Sequence, residues 1–215
     1  MESIESAVRR GAAGTRPLLR SGVLAGPFYL GVSLIQAFLR QGFDLARHPL
    51  SLLANGPGGW IQTANFVITG LMVLAAAVGF RRVLGPKSRA VTWLLGGFGV
   101  AMIVAAILPA DPVDGFPPGT PEGFPTSIST TGLLHFVAGA LGFTFLAISC
   151  FAAARAMSRR NVPSLARLSL LSGLAIVLGF FGGMVLPVGI LGIWFAVVVG
   201  WAWLAAMSLG LNRLA

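Results

Sequence analysis

Thirteen of the fifteen lysines and arginines in this chain fall in alternate connections between long apolar stretches. That segregation constrains the fold more than any motif does. The stretches lie at about 21–39, 60–80, 90–110, 130–154, 165–186 and 189–210. Each is close to the roughly 20 apolar residues a helix needs to cross a hydrocarbon core. Backbone polar groups find no water there, so each stretch must be helical. The expected fold is all-α and integral to the membrane: a six-transmembrane-helix bundle, one domain over 21–215, preceded by a polar, basic segment at 1–20. Only 10% of the residues are charged, against roughly a quarter in soluble domains, so a soluble fold is excluded.

Arg9, Arg10, Arg16 and Arg20 precede the first stretch. Arg81, Arg82, Lys87 and Arg89 join the second to the third; Arg155, Arg159, Arg160 and Arg167 join the fourth to the fifth; Arg213 follows the sixth. The positive-inside rule puts all of these, and both termini, in the cytoplasm. The other side holds Arg40 and Arg47 with Asp44, Asp111, Asp114 and Glu122. The net charge of +9 is therefore a topology signal and a contact for anionic lipid heads, and it excludes nucleic acid as a partner. The expected location is the cell membrane, multi-pass, with the first stretch retained as a helix because no convincing cleavage site follows it. The single cysteine, Cys150, lies in an apolar run and allows no intramolecular disulfide.

Scarce polar chemistry gathers at the extracytoplasmic level. The stretch "FDLARHPLSLLANGPGGW" at 43–60 carries Asp44, Arg47, His48 and Ser51, and Pro49 with "NGPGG" frames a short re-entrant or interfacial helix at about 49–54. Gln36 stands near the exit of the first span. Gln62, Asn65 and Thr69, at spacings of three and four, share one face of the second. Thr131 and His135 are four apart at the start of the fourth, and Asp111 and Asp114 flank "PV" after the third. The expected common pocket has Asp111, Asp114, His48 and His135 as catalytic candidates, with Arg47, Ser51, Gln62, Asn65, Trp60 and Phe136 contacting a substrate. Each has a plainer reading as a cap, a surface residue or an interhelical hydrogen bond. Glycines in "LLGGFG", "GALG" and "GLAIVLGFFGGMVLP" suit close helix approach.

"RHPLS" after the first span, "GGWIQ" entering the second, "DP" leaving the third and the histidine near the start of the fourth resemble an uncharacterised bacterial and archaeal membrane family, domain of unknown function 998. The resemblance covers roughly the whole chain. It implies the six-span layout and draws attention to Arg47, His48, Pro49, Ser51, Asp111 and His135, but implies no activity.

Two function classes follow from these residues. In the first, an enzyme performs acid-base chemistry on a lipid or isoprenoid, a terpenoid cyclisation for example. Desolvated Asp111 or Asp114 would donate the proton, and Phe66, Phe136, Phe143, Trp93 and Phe180 would line an oily cavity. No cofactor is required. A variant places zinc on His48, His135 and Asp111 for lipid hydrolysis. In the second class the chain binds a lipophilic small molecule or a partner protein and catalyses nothing.

Overall fold

The computed structural model describes residues 4–123, 125–185 and 189–214. Six long helices account for most of it: α1 (Ile4–Leu39), α2 (Gly59–Leu84), α3 (Arg89–Ile107), α4 (Thr130–Ser158), α5 (Pro163–Val185) and α6 (Gly189–Leu214). Among the described residues, these six are long and apolar enough to cross a membrane. Each packs against its sequence neighbours, and α6 returns to α1, so the bundle closes into a ring. Up-down connectivity puts all thirteen basic residues named above at one end of the ring, the basic end; 40–58 and 108–129 form the other, the loop end.

Boundaries follow the sequence with one difference. The polar segment expected at 1–20 does not stand apart, because α1 runs unbroken from Ile4. Thr15 and Leu19 are buried against the bundle, so packing carries the helix below its apolar stretch. Arginine side chains on the intervening turns can reach outward on long stems. The tight α5–α6 connection read at "LPVGILG" includes 186–188, which lie outside the described residues.

Helix ends are satisfied locally. Ser129 caps α4, its hydroxyl accepting from the Gly132 amide at 3.0 Å. α2 stops at Gly85, whose φ of +69° suits glycine. Arg160 then donates to the Leu84 carbonyl at 2.7 Å, filling an acceptor the helix cannot fill itself. Leu19, Phe80, Leu95, Met157, Trp203 and Met207 are buried toward the basic end, and Trp203 donates to Ser169 there at 3.0 Å. Toward the loop end the ring is hollow.

Candidate functional site

The polar residues of the loop end fall into three groups that do different work. The first is a seam between α1 and α2. Gln62, Asn65 and Thr69 do share one face, and α1 answers with Ser33 and Gln36. Gln36 donates to Gln62 at 2.8 Å, Gln62 donates to Ser33 at 3.0 Å, and Asn65 donates to the Tyr29 carbonyl at 3.1 Å. In hydrocarbon these groups need each other, and they bond within the seam, which leaves the Gln36 Oε1 buried without a partner among the described residues. Neither Gln62 nor Asn65 lines a cavity.

The second group is a cap made of the two loops. Residues 49–54, expected as a short helix, form a 3-10 helix at Leu50–Ala54 whose Leu50, Leu52 and Leu53 are buried. Arg40 holds it from α1, donating to the carbonyls of Leu53 at 3.0 Å and Asn55 at 2.5 Å while its guanidinium sits over the Phe116 ring. Asn55 donates to the Ala110 carbonyl at 2.9 Å, tying the first loop to the second. His48, 1% exposed, is the central tie. Its Nδ1 accepts from the Asp44 amide at 2.9 Å, and its Nε2–H donates to the Asp114 carbonyl at 2.9 Å. These bonds select the neutral tautomer and occupy both ring nitrogens.

Both candidate acids are committed as well. Asp114 takes a two-pronged grip from Arg47, at 2.9 and 2.7 Å, and Arg47 also donates to Glu122. The Arg47 bonds, then the Gly123 amide, hold the Asp114 carboxyl down at about 2, well below the usual carboxylate range. Asp111 accepts from the Ser129 amide at 2.8 Å and the Ser129 hydroxyl at 2.5 Å, buttressing the α4 cap. Neither lines the cavity described below; both lie in the loops, bonded as acceptors. Nor do His48, His135 and Asp111 assemble the zinc set considered above. Among the described residues, no three His, Cys, Asp or Glu side chains gather as a metal site would need.

The third group surrounds the hollow of the ring, a cavity of about 180 Å³ to which all six helices contribute. Tyr29, Phe66, Phe98, Phe143, Phe180, Trp194 and Trp201 supply its aromatic wall, and Pro49, Leu50 and Ser51 of the cap roof it. Phe143 and Phe180 stack with centroids 4.1 Å apart. Of the five aromatics expected around a cavity, Phe66, Phe136, Phe143 and Phe180 do line it, whereas Trp93 is exposed near the basic end. Of the residues expected to meet a substrate, Ser51 and Phe136 reach the cavity. Trp60 does not: it lies 73% exposed on the outside of α2. Arg47 does not either, being spent on the cap.

His135 is the one catalytic candidate that lines the cavity. Its Nδ1–H donates to the carbonyls of Leu108 at 2.7 Å and Ala105 at 3.2 Å. The cause is in the sequence. The residues four further on are Pro112 and Pro109, which have no N–H to offer those carbonyls. In the neutral ring Nε2 then carries the lone pair, and among the described residues no hydrogen bond to it is seen. Ser51, Tyr29 and His135 are thus the polar side chains in an otherwise apolar lining.

The cavity has a side mouth. Phe136 on α4 and Met184 on α5 both line it and yet are 54% and 59% exposed. Gly139 lies one turn from Phe136 on α4, and no atom of the described residues stands within 4 Å of where its Cβ would be. The opening therefore lies in the wall of the bundle between α4 and α5, at a level that a membrane would cover.

The sequence profile of a family described as "Protein of unknown function (DUF998)" matches residues 23–210, which take in all of the cap, the seam and the cavity. The chain belongs to this family. No curated protein and no solved structure matches it. Membership in DUF998 agrees with the resemblance carried by "RHPLS", "GGWIQ" and "DP", and brings no activity with it.

Several residues of this DUF998 chain escaped sequence reasoning. Tyr29 and Ser33, together with the Gln36 already noted, repeat on α1 the three-and-four spacing noticed on α2. On α6, Ile190, Ile193, Trp194, Val197 and Trp201 fall on one helical face, which is the cavity face. Their signal is periodic but apolar, and an apolar periodic face reads as ordinary core.

The Arg47–Asp114 pair makes the cap acid-sensitive. Asp114 has a folded-state value near 2, below its ordinary 3.8, so the stability it lends is present above the ordinary value and is lost as pH falls through the folded one. Hydrogen exchange in 108–123 is expected to accelerate between about pH 4 and pH 2, and Asp114→Asn to remove that step. An unchanged acid profile in Asp114→Asn would refute the assignment.

Proposed function

We propose that this protein draws a lipophilic molecule sideways out of the bilayer into the hollow of its ring. The supporting observation is the combination of an aromatic cavity inside a membrane-type bundle with a mouth between α4 and α5. An apolar ligand gains the burial of its surface on leaving water, but little on leaving lipid. Affinity must then come from packing density and from the few polar groups, as it does between membrane helices. Stacked rings such as Phe143 and Phe180, with Trp201 and Tyr29 beside them, supply polarizable flat surface.

Size restricts the occupant. An apolar cavity of about 150 Å³ in a protein core stays dry and accepts a benzene-sized guest. This cavity, at about 180 Å³, accommodates one small ring or the end of one chain, and the rest of a longer molecule would trail through the mouth into the bilayer. That limit, with Asp111 and Asp114 outside the cavity and bonded as acceptors, draws support away from cyclisation of a long isoprenoid and toward binding. With the basic end in the cytoplasm, as the charge segregation argues, the mouth faces the outer leaflet.

Gly139→Phe tests this reading. No described atom crowds a Cβ there, and a phenyl ring at that position is aimed at obstructing the mouth. A diazirine-bearing alkane in bilayers holding the full-length protein is expected to label α4 and α6 saturably, and Gly139→Phe to abolish the saturable part. Labelling that never saturates, or that survives Gly139→Phe unchanged, rejects the proposal.

A further inference from the structure

Among the polar atoms that border the cavity, the Nε2 of His135 is an acceptor to which no described residue donates. The ring is 6% exposed, it borders the cavity, and its other nitrogen is fixed as a donor by two α3 carbonyls. A nitrogen acceptor in an oily enclosure costs free energy unless something donates to it. Among the described residues nothing does. We infer that the ligand itself supplies the donor: the site is built for a neutral lipophilic alcohol or phenol whose O–H bonds to Nε2 of His135. This rests on the cavity reading above and specifies its ligand class.

Other ligand classes fit the lining less well. A carboxylate or phosphate would bring a charge into an enclosure with no cationic side chain, since Arg40 and Arg47 are both bonded within the cap. An amine cation would find no carboxylate, because neither Asp111 nor Asp114 lines the cavity. A pure hydrocarbon would leave Nε2 bare. A hydroxyl satisfies it without importing charge. The geometry also orients the guest. His135 sits in the first turns of α4, toward the loop end and near the mouth, while Leu146 and Trp201 line the deeper part. An alcohol would bind hydroxyl toward the loop end and tail toward mid-membrane, as it lies in a leaflet, so entry through the α4–α5 gap requires no inversion.

Three photoreactive probes that differ in one group provide the test: a medium-chain alcohol carrying a diazirine, its methyl ether and the corresponding alkane, each titrated against the full-length protein in bilayers. One neutral hydrogen bond corresponds to about a three- to tenfold preference. The alcohol is expected to reach half-saturation at a concentration lower by about that factor than the ether does. In His135→Phe the two should converge while both still label α4 and α6. His135→Gln should keep the preference, because its amide can donate to α3 and accept from the ligand. It also serves as the decisive variant if His135→Phe does not fold. Equal half-saturation of alcohol and ether in the natural protein would overturn the hydroxyl assignment and leave the cavity reading intact. A preference that persists in His135→Phe would overturn it too, by placing the acceptor elsewhere. If none of the three probes labels saturably, the cavity reading itself fails.

Discussion

Replacing His48 with alanine is expected to open the cap while leaving the six helices in place. The substitution removes a ring that packs against Phe43 and Phe116, with centroids 5.3 and 5.6 Å away. It also strands the Asp44 amide and the Asp114 carbonyl, the two groups the imidazole bonds. Each orphaned group costs about 1–3 kcal/mol where water cannot reach it, and lost ring packing adds to this. A total of roughly 3–4 kcal/mol corresponds to two to three powers of ten in an opening equilibrium. Amide exchange over 40–58 and 108–123 should accelerate by about that factor, because those residues open as one unit. Exchange in α3 and α5 should hold, since helix-to-helix packing there does not involve the loops. A histidine acting only as a base or a metal ligand would leave cap exchange unchanged, and that result would overturn the assignment. Because Pro49, Leu50 and Ser51 roof the cavity, the same variant should also release a bound ligand faster.

The contrast between His48 and His135 shows what one sequence conceals. Both are scarce and both sit at the same level of the bundle, so a reading by depth grouped them. The structure separates them by direction: His48 turns into the cap and spends both nitrogens, whereas His135 faces the hollow and spends one. Level along the membrane normal is legible from hydropathy, because it depends only on distance from the end of a span. Direction around a helix becomes legible once neighbouring helices are known, and here it depends on α6 returning to α1. The fold could therefore be read from charge segregation and span length. The cavity could be read only in part: Phe66, Phe136, Phe143 and Phe180 are expected around it, but the rest of its apolar wall looks like any other buried face. The donor side of His135 was nonetheless written in the sequence, in the two prolines that leave the Ala105 and Leu108 carbonyls without their usual amides.

The acidic residues give the complementary lesson. Asp111 and Asp114, with only two residues between them, read as alternative proton donors in one pocket. Asp114 takes φ +53°, a backbone conformation uncommon outside glycine, in a turn closed between Val113 and Phe116. It is gripped by Arg47, while Asp111 bonds Ser129. Nearness in sequence became divergence in space through the turn between them. The Arg47 that grips Asp114 is 67 residues away in the chain, a distance no local pattern conveys.

Gly99→Ala is expected to destabilise this protein, and Gly96→Ala, one turn earlier on the same helix, to be harmless. α2 and α3 cross where Gly70 faces Gly99. A Cβ on Gly99 would stand 2.9 Å from the Gly70 carbonyl oxygen and 3.1 Å from Leu74, and a Cβ on Gly70 would stand 2.8 Å from the Gly99 carbonyl oxygen. The obstructing atoms are backbone, so the strain is relieved only if the helices separate, and overpacking of this kind costs about 1–3 kcal/mol. At Gly96 the nearest atom would be Leu74 at 3.9 Å, an ordinary contact. There alanine should stabilise by up to about 1 kcal/mol, through its better helix propensity. The consequence extends to the site. Phe66 and Phe98, one turn and one residue from the crossing, both line the cavity. Separating α2 from α3 moves those two rings apart and loosens the wall against which a ligand packs. Thermal unfolding in bilayers, followed alongside saturable photolabelling, should show Gly99→Ala losing both stability and labelling, with Gly96→Ala retaining both. If the two variants behave alike, the close crossing does not set the cavity, and the aromatic wall is held by other contacts.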